Sequence, residues 1–379
     1  MIKIAIVSNT SWSLYNFRYK LAKLIKQNGY KVILVAPHDE YSDRLIKEFE
    51  YRDIYIDNKG TDPIQDLKTT LGFYRLYRQI KPDIVLHYTI KPNIYGTIAC
   101  RLIGIKTINN IAGLGTLFIK QSYTTKIAKW LYKYSQSKAD KIFFQNRDDF
   151  EQFTIEKLVD QNRCDILPGS GVDISRFLPI EHERTDGVFV FLLVARMLWD
   201  KGVGEYVEAA KILKEKYKSI AKESKAFEFQ LLGFLDTASP TAISKKQMDI
   251  LVKDGYINYL GSSDDIRVEI AQSDCIVLPS YYREGTPRVL LESASMAKPI
   301  ITADSVGCRD VVDDGVNGYL CEVKNSKDLA NKMEMMINLS EDERKVMGQA
   351  GRAKIVKNFD EQIVIDKYLE SIKEILNTN

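Results

Sequence analysis

Tyr282-Arg283-Glu284-Gly285-Thr286-Pro287-Arg288-Val289-Leu290-Leu291-Glu292 directly follows the apolar run Cys275 to Pro279. The two together read as a strand, a Gly/Pro turn and the start of a helix. In an open α/β sheet, ligands sit outside the carboxyl ends of the strands. Pro287 suits the first helical position, so the free N–H groups of the helix face that crevice and favour an anion. Glu284 stands in the loop, and Glu292 lies eight residues later, about two helical turns along. Two acids beside such a helix end are suited to the hydroxyls of a sugar nucleotide. Taken alone, they are more simply a loop acid and a solvated helix acid.

The neighbouring motifs change that balance. Upstream, Phe191-Leu192-Leu193-Val194-Ala195-Arg196-Met197-Leu198-Trp199-Asp200-Lys201-Gly202 is again a strand running into a loop. It supplies two cations suited to a diphosphate, Arg196 as a planar fork and Lys201 as a point charge. Downstream come Gly307-Cys308 and Asp314-Gly315-Val316-Asn317-Gly318-Tyr319-Leu320. As a set these resemble the C-terminal half of the retaining glycosyltransferases of family 4. That pattern has an Arg and a Lys five apart, a loop Glu-Gly, a second Glu eight residues on, a Gly-rich loop and an Asn-Gly turn. The resemblance implies the α/β GT-B fold, two doubly wound Rossmann-like domains facing across a cleft.

It also implies roles. Arg196 and Lys201 would neutralise the departing diphosphate, and Glu284 would meet the hydroxyls of the donor sugar. Glu292 would accept bonds from the ribose. Backbone N–H groups from Gly285 and Thr286 through Val289 and Leu290 would serve phosphate and sugar, with Pro287 in the turn donating none. The donor is expected to be a UDP-sugar, by kinship. The leaving phosphate itself would help deprotonate the acceptor, so no side chain is assigned as general base. Ser293, Ala297 and Cys308 stand where the family often has Ala, Gly and Gly; as small residues they should fit.

At 379 residues, two domains are the natural expectation. The apolar content of 45% and charged content of 28% describe an ordinary globular protein. Five scattered cysteines and three histidines make no zinc pattern and suggest buried free thiols. No Asp-x-Asp pair is present to hold a divalent ion on a diphosphate, and with two side-chain cations available none is expected. Met1 leads straight into a strand with no signal peptide, and no window has the length and apolarity of a spanning helix. The expectation is a cytoplasmic protein, peripheral on the inner membrane.

Alternating strands and helices divide the chain into residues 1–174, a polar linker 175–187 and a second domain 188–359. A last helix, 360–379, would cross back to the first domain. Strands are expected at Ile2–Val7, Lys31–Pro37, Ile54–Asp57, Ile84–His87, Thr107–Ile111, Ile142–Gln145 and Asp165–Leu167, then at Phe189–Ala195, Phe229–Leu232, Ile257–Leu260, Cys275–Pro279 and Ile300–Ala303.

In the first half, the loop after strand one lacks the glycines common in the family. Asn9 or Thr10 could contact the diphosphate, or form a plain strand–helix turn. Ile111-Ala112-Gly113-Leu114-Gly115-Thr116 fits close backbone approach better, through Gly113 and Gly115. Lys91, after another strand, could meet an acidic sugar or a phosphate of the acceptor, or simply face solvent.

Charge is uneven. Residues 1–175 carry 26 Lys and Arg against 18 Asp and Glu, an excess of +8, and the remainder 28 against 33, an excess of −5. Between Leu67 and Lys141 stand thirteen cations against Asp83 and Asp140 alone. No nucleic-acid-reading motif accompanies them. Read as a helix, Ser122–Gln136 gathers Lys126, Lys129, Trp130 and Lys133 on one face and Ile127, Leu131 and Tyr134 on a core face. Lysines around a tryptophan match an interfacial helix on anionic lipid, or a solvated face with one aromatic.

A polyprenyl-diphosphate-linked sugar is then the expected acceptor. Within the family the chain is similar to bacterial N-acetylgalactosaminyltransferases that extend lipid-linked oligosaccharides in surface-glycan assembly. The donated group would be an N-acetylhexosamine or its uronic form. Two other classes share parts of this pattern. A hydrolysing UDP-sugar epimerase would need acids and bases at the sugar carbon, for which histidine is scarce. A non-catalytic sugar-binding protein would normally be exported.

Overall fold

Apolar runs of four to six residues, each followed by a helical stretch, bury both strand faces only as parallel sheets with helices on either side. The computed structural model describes residues 1–57, 62–114, 123–180, 187–220, 227–235 and 239–377, and two such sheets form. The first holds β1 (Lys3–Val7), β2 (Lys31–Ala36), β3 (Glu50–Asp53), β4 (Ile84–Tyr88), β5 (Lys106–Ile111), β6 (Lys141–Phe144) and β7 (Cys164–Ile166). Their order is β3-β2-β1-β4-β5-β6-β7, all parallel. The second holds β8 (Phe189–Val194), β9 (Phe227–Leu232), β10 (Asn258–Tyr259), β11 (Cys275–Leu278), β12 (Ile300–Ala303) and β13 (Gly318–Cys321). Its parallel order is β10-β9-β8-β11-β12-β13. Strand order reverses at β1/β4 and at β8/β11, the two places where doubly wound sheets open a crevice at their carboxyl edge.

Contacts divide the chain into two compact units, Met1–Ser170 with Gln362–Asn379, and Gly171–Glu361. In the first, β1 sends Ile4 and Ile6 against Leu14, Leu21 and Ile25 of the helix Ser11–Gln27. Ala5 and Val7 face Phe73 and Tyr77 of the helix Pro63–Ile80. Each large side chain so buried contributes about 1.5–3 kcal/mol. The C-terminal helix Glu361–Asn377 adds Val364, Ile365, Tyr368 and Ile372 to the same core as Ile4 and Ile6. It is a structural part of the first unit.

Three details differ from the sequence reading. The strand expected at Ile54–Asp57 lies at Glu50–Asp53, paired Ile33↔Glu50 through Ala36↔Asp53. Ile54 and Ile56 are buried beside Phe73, but beyond the ladder; apolarity marked the burial, not the hydrogen bonding. β13 lies where a turn was expected to continue, and pairs with β12 from Ile300↔Gly318 onward. The segment starting at Gly171 belongs to the second unit: Val172 and Phe177 join its core, and the Val172 amide donates to the Phe359 carbonyl at 2.9 Å. The expected linker therefore begins inside that unit, and its residues 181–186 lie outside the described residues.

Candidate active site

The carboxyl edge of the second sheet brings the two loops of interest together. After β8 the chain makes a short 3₁₀ turn, Trp199–Lys201, and Gly202 turns it into the next helix at φ +77°. A Cβ on Gly202 would stand 2.2 Å from the Pro279 carbonyl oxygen, so only glycine lets these loops close. The Asp200 carbonyl then accepts the amides of Tyr281 and Tyr282, each at 3.0 Å. Backbone bonds thus clamp the loop carrying Lys201 to the loop carrying Glu284.

The result is an ion pair between Lys201 Nζ and Glu284 Oε1, with both side chains only 12% exposed. Ser280 Oγ donates to the same carboxylate oxygen at 3.1 Å, and the Lys201 ammonium lies 4.9 Å from the centre of the Tyr282 ring. An ammonium has three N–H donors, so Lys201 can keep Glu284 and still meet a phosphate oxygen. Arg196, exposed at the end of β8, adds a second positive charge that acts on Tyr282. A third loop backs the acid: Gly307, at φ +79°, packs so closely that a Cβ there would be 1.9 Å from the Gly285 carbonyl oxygen. Burial and the nearby Glu284 push the Cys308 thiol up to about 12, so it remains a neutral packing group.

The helix Arg288–Ser295 follows, with Pro287 just outside it as its N-cap at φ −63°. Pro287 therefore precedes the first helical residue instead of occupying it. The Leu290 amide donates to the Pro287 carbonyl at 3.1 Å, which removes it from the expected set of ligand-facing donors. Val289 remains in the first turn, where amides lack intrahelical acceptors. Glu292 is buried and accepts from Arg288 Nε at 2.8 Å. Burial raises its pKa, while the Arg288 charge and hydrogen bond oppose the shift. Arg288 and Ser280 were not picked out from the sequence. The four-residue spacing of Arg288 and Glu292 was a readable signal, whereas nothing local marks Ser280.

The first-unit candidates fare differently. Thr10 caps the helix Ser11–Gln27, its side chain accepting from the Ser13 amide at 3.1 Å, and Asn9 is the half-buried residue before it. Gly113 sits at φ +91° just past β5; Gly115 lies outside the described residues. Lys91 does not stand as a lone cation: it pairs with Asp66 at 2.5 Å and Asp57 at 3.5 Å, and the Tyr95 hydroxyl holds the other Asp66 oxygen at 2.6 Å.

On the helix Tyr123–Gln136, Lys126 and Lys133 are exposed, Trp130 is 63% exposed, and Lys129 pairs with Glu156 at 2.8 Å. Ile127 and Tyr134, expected in the core, share the exposed face, where the Trp130 and Tyr134 rings stack at 5.8 Å. The core face is Ala128, Tyr132 and Gln136, with Tyr132 against Phe153. Four-residue spacing selects that face, and a buried phenol and amide outweighed the apolar count.

Comparison with known proteins follows the same division. Residues 3–146 match the family described as Glycosyl transferase 4-like, and residues 176–354 the one described as Glycosyl transferases group 1. The chain is 27% identical, over 99% of both sequences, to the N,N'-diacetylbacillosaminyl-diphospho-undecaprenol alpha-1,3-N-acetylgalactosaminyltransferase of Campylobacter jejuni. It is 26% identical to the UDP-Gal:alpha-D-GlcNAc-diphosphoundecaprenol alpha-1,3-galactosyltransferase of Escherichia coli, over 95% of this chain and 89% of that one. A solved glycosyltransferase from Rickettsia africae, 20% identical, covers 100% of this chain with a TM-score of 0.80 and 99% of its own. That last likeness is one of fold, two Rossmann-like domains of the GT-B kind.

Proposed function

The chain belongs to the glycosyl transferases that join a 4-like N-terminal half to a group 1 C-terminal half, and from this premise we propose a specific transfer. It moves a hexose derivative, an N-acetylhexosamine or its uronic form, from a UDP-sugar to a polyprenyl-diphosphate-linked sugar, with retention of anomeric configuration. The observation that carries this reading is the largely buried Lys201–Glu284 pair clamped beside a helix N-terminus. Lys201 and Arg196 take the charge that develops on the departing diphosphate, a fixed electrostatic contribution made where charge appears in the transition state. Glu284, held by Lys201 and Ser280, accepts hydrogen bonds from the donor sugar's hydroxyls. Glu292, held by Arg288, accepts from the ribose. The acceptor's proton goes to the leaving phosphate oxygen, and the sugar–phosphate C–O bond breaks as the bond to the acceptor oxygen forms. With two side-chain cations at the diphosphate, the reaction needs no metal.

Both curated relatives act, by their names, on undecaprenyl-diphosphate-linked sugars, which supports a lipid-borne acceptor in surface-glycan assembly. Among the described residues no helix is long and apolar enough to cross a membrane. The face of Ile127, Trp130 and Tyr134 flanked by Lys126 and Lys133 suits peripheral contact with anionic lipid on the cytoplasmic leaflet.

The test is incubation with radiolabelled UDP-sugars, with and without polyprenyl-diphosphate-linked sugar, in the presence of a chelator. Label should enter lipid only when the acceptor is present. Conversion of the donor without acceptor would instead support an epimerase, and binding with no conversion a sugar-binding protein.

A further inference from the structure

The first sheet holds a second cluster at its own switch point, and its chemistry is unlike that of Lys201 and Glu284. Arg18, on the buried face of the helix Ser11–Gln27, is only 6% exposed. Its guanidinium lies 4.1 Å from the centre of the Tyr88 ring, and one N–H reaches the neighbouring Phe17 carbonyl at 3.2 Å. Among the described residues no carboxylate pairs with it. A guanidinium carries five N–H donors, and burying it without an anion is costly unless something else repays the desolvation.

The groups around it are also underused. Tyr88 ends β4, at the carboxyl edge beside β1. The Thr89 hydroxyl and the side-chain amide oxygen of Asn93, Oδ1, are sealed from solvent without a hydrogen-bond partner. Thr89 adopts φ +70°, a conformation that a β-branched residue rarely accepts and that clusters at functional sites. The Asn93 amide is fixed on the Asn110 carbonyl at 2.6 Å, and the Asn110 amide on the Tyr368 hydroxyl at 2.9 Å. The Tyr368 ring in turn lies 6.0 Å from that of Tyr88. One connected set thus combines a buried cation without a counter-ion among the described residues, two orphaned polar atoms and a strained backbone.

We infer that this edge of the first unit is an anion site that takes the diphosphate of the lipid-linked acceptor, with Arg18 as its charged fork. Guanidinium and phosphate match in geometry, and charge-assisted bonds there replace the solvation Arg18 has given up. The identity of the anion rests on the function proposed above; the existence of the site does not.

Calorimetric titration of the full chain, kept saturated with UDP to fill the donor side, tests this with three probes: farnesyl diphosphate, inorganic pyrophosphate and farnesol. Wild type should bind the two diphosphates and bind farnesol at least about tenfold more weakly. Arg18→Met should lose about tenfold or more for both diphosphates, and Arg18→Lys should recover part of the loss. UDP affinity should be the same in all three proteins. Without ligand, Arg18→Met should melt no lower than wild type, because it removes a buried unpaired charge. Wild-type affinity for farnesyl diphosphate in Arg18→Met would overturn the site. So would failure of pyrophosphate to bind beside UDP, or a lower melting temperature with lost UDP affinity, which would make Arg18 a structural residue. Arg18-dependent diphosphate binding with no sugar transfer to any lipid acceptor would keep the site and overturn the proposed reaction.

Discussion

The two carboxyl edges occupy equivalent positions in two parallel sheets and solve opposite electrostatic problems. In the second unit two cations near the edge are paired with acids: Lys201 with Glu284, Arg288 with Glu292. In the first, Lys91 is paired with Asp66 and Asp57, but among the described residues the buried Arg18 has no carboxylate. Paired charges on clamped loops can be re-partnered as a diphosphate leaves. A fixed buried cation without an acid suits an anion that stays attached to its carrier. Topology provides the crevice twice, and side-chain charge decides what each can hold.

The largest expected effect comes from breaking the second edge. Glu284→Gln keeps the shape of the side chain but removes the charge that holds Lys201. Turnover should fall by about 10²–10³, the scale of losing one fixed electrostatic contact to a transition state. UDP affinity, measured by titration, should change only a few-fold. If UDP binding collapses with turnover, Glu284 acts by holding Lys201 for the nucleotide, and its assignment to the sugar is wrong.

A second effect separates the units by pH. His87 is fully buried on β4, with the Tyr77 hydroxyl at 2.9 Å from Nε2 and Asn109 Oδ1 at 3.0 Å from Nδ1, and burial pushes its pKa down to about 4. The folded state stays neutral there while the unfolded chain takes up a proton near the ordinary value of 6.5. Stability supplied by the first unit is therefore complete above about pH 6.5 and is lost as pH falls toward 4, by up to about 3 kcal/mol at about 1.4 kcal/mol per unit. Glu292 runs the other way. With its pKa raised by burial, its contribution is present below the ordinary carboxylate value and is lost as pH rises through the raised one. Fluorescence of Trp12 and Trp130 reports the first unit and that of Trp199 the second. Denaturation across this range should flatten for the first in His87→Asn and for the second in Glu292→Gln; unchanged slopes would remove these groups as the cause.

The smallest effect concerns the surface of the first unit. Anionic vesicles should sediment the protein at low salt and release it at high salt. Lys126→Gln and Lys133→Gln should each weaken the partition by about 1 kcal/mol, roughly fivefold. Equal sedimentation with neutral vesicles would show that lipid charge plays no part.

Much of this was legible before any coordinates. Arg196, Lys201, Glu284 and Glu292 stand out because strand, loop and helix start are encoded within a dozen residues, and the structure brings Lys201 and Glu284 into direct contact. Lys91 was legible as a cation, but not its neutralisation by Asp57 and Asp66, which lie 34 and 25 residues away along the chain. The helix Tyr123–Gln136 was legible as a helix, but its buried face was not. Which side packs depends on Phe153 and the neighbouring strands, not on the apolar content of the helix itself.

From the sequence by itself came the alternation that dictates two parallel sheets, and the short motifs whose parts all lie on adjacent elements. Both are local, set by periodicity and turn chemistry. Tertiary structure alone decided that Arg18 is buried with no acid beside it among the described residues, that Thr89 is strained, and that Asn110 meets Tyr368 across 258 residues. A counter-ion or hydrogen-bond partner is a fact about neighbours in space, and in a doubly wound sheet those neighbours come from distant parts of the chain.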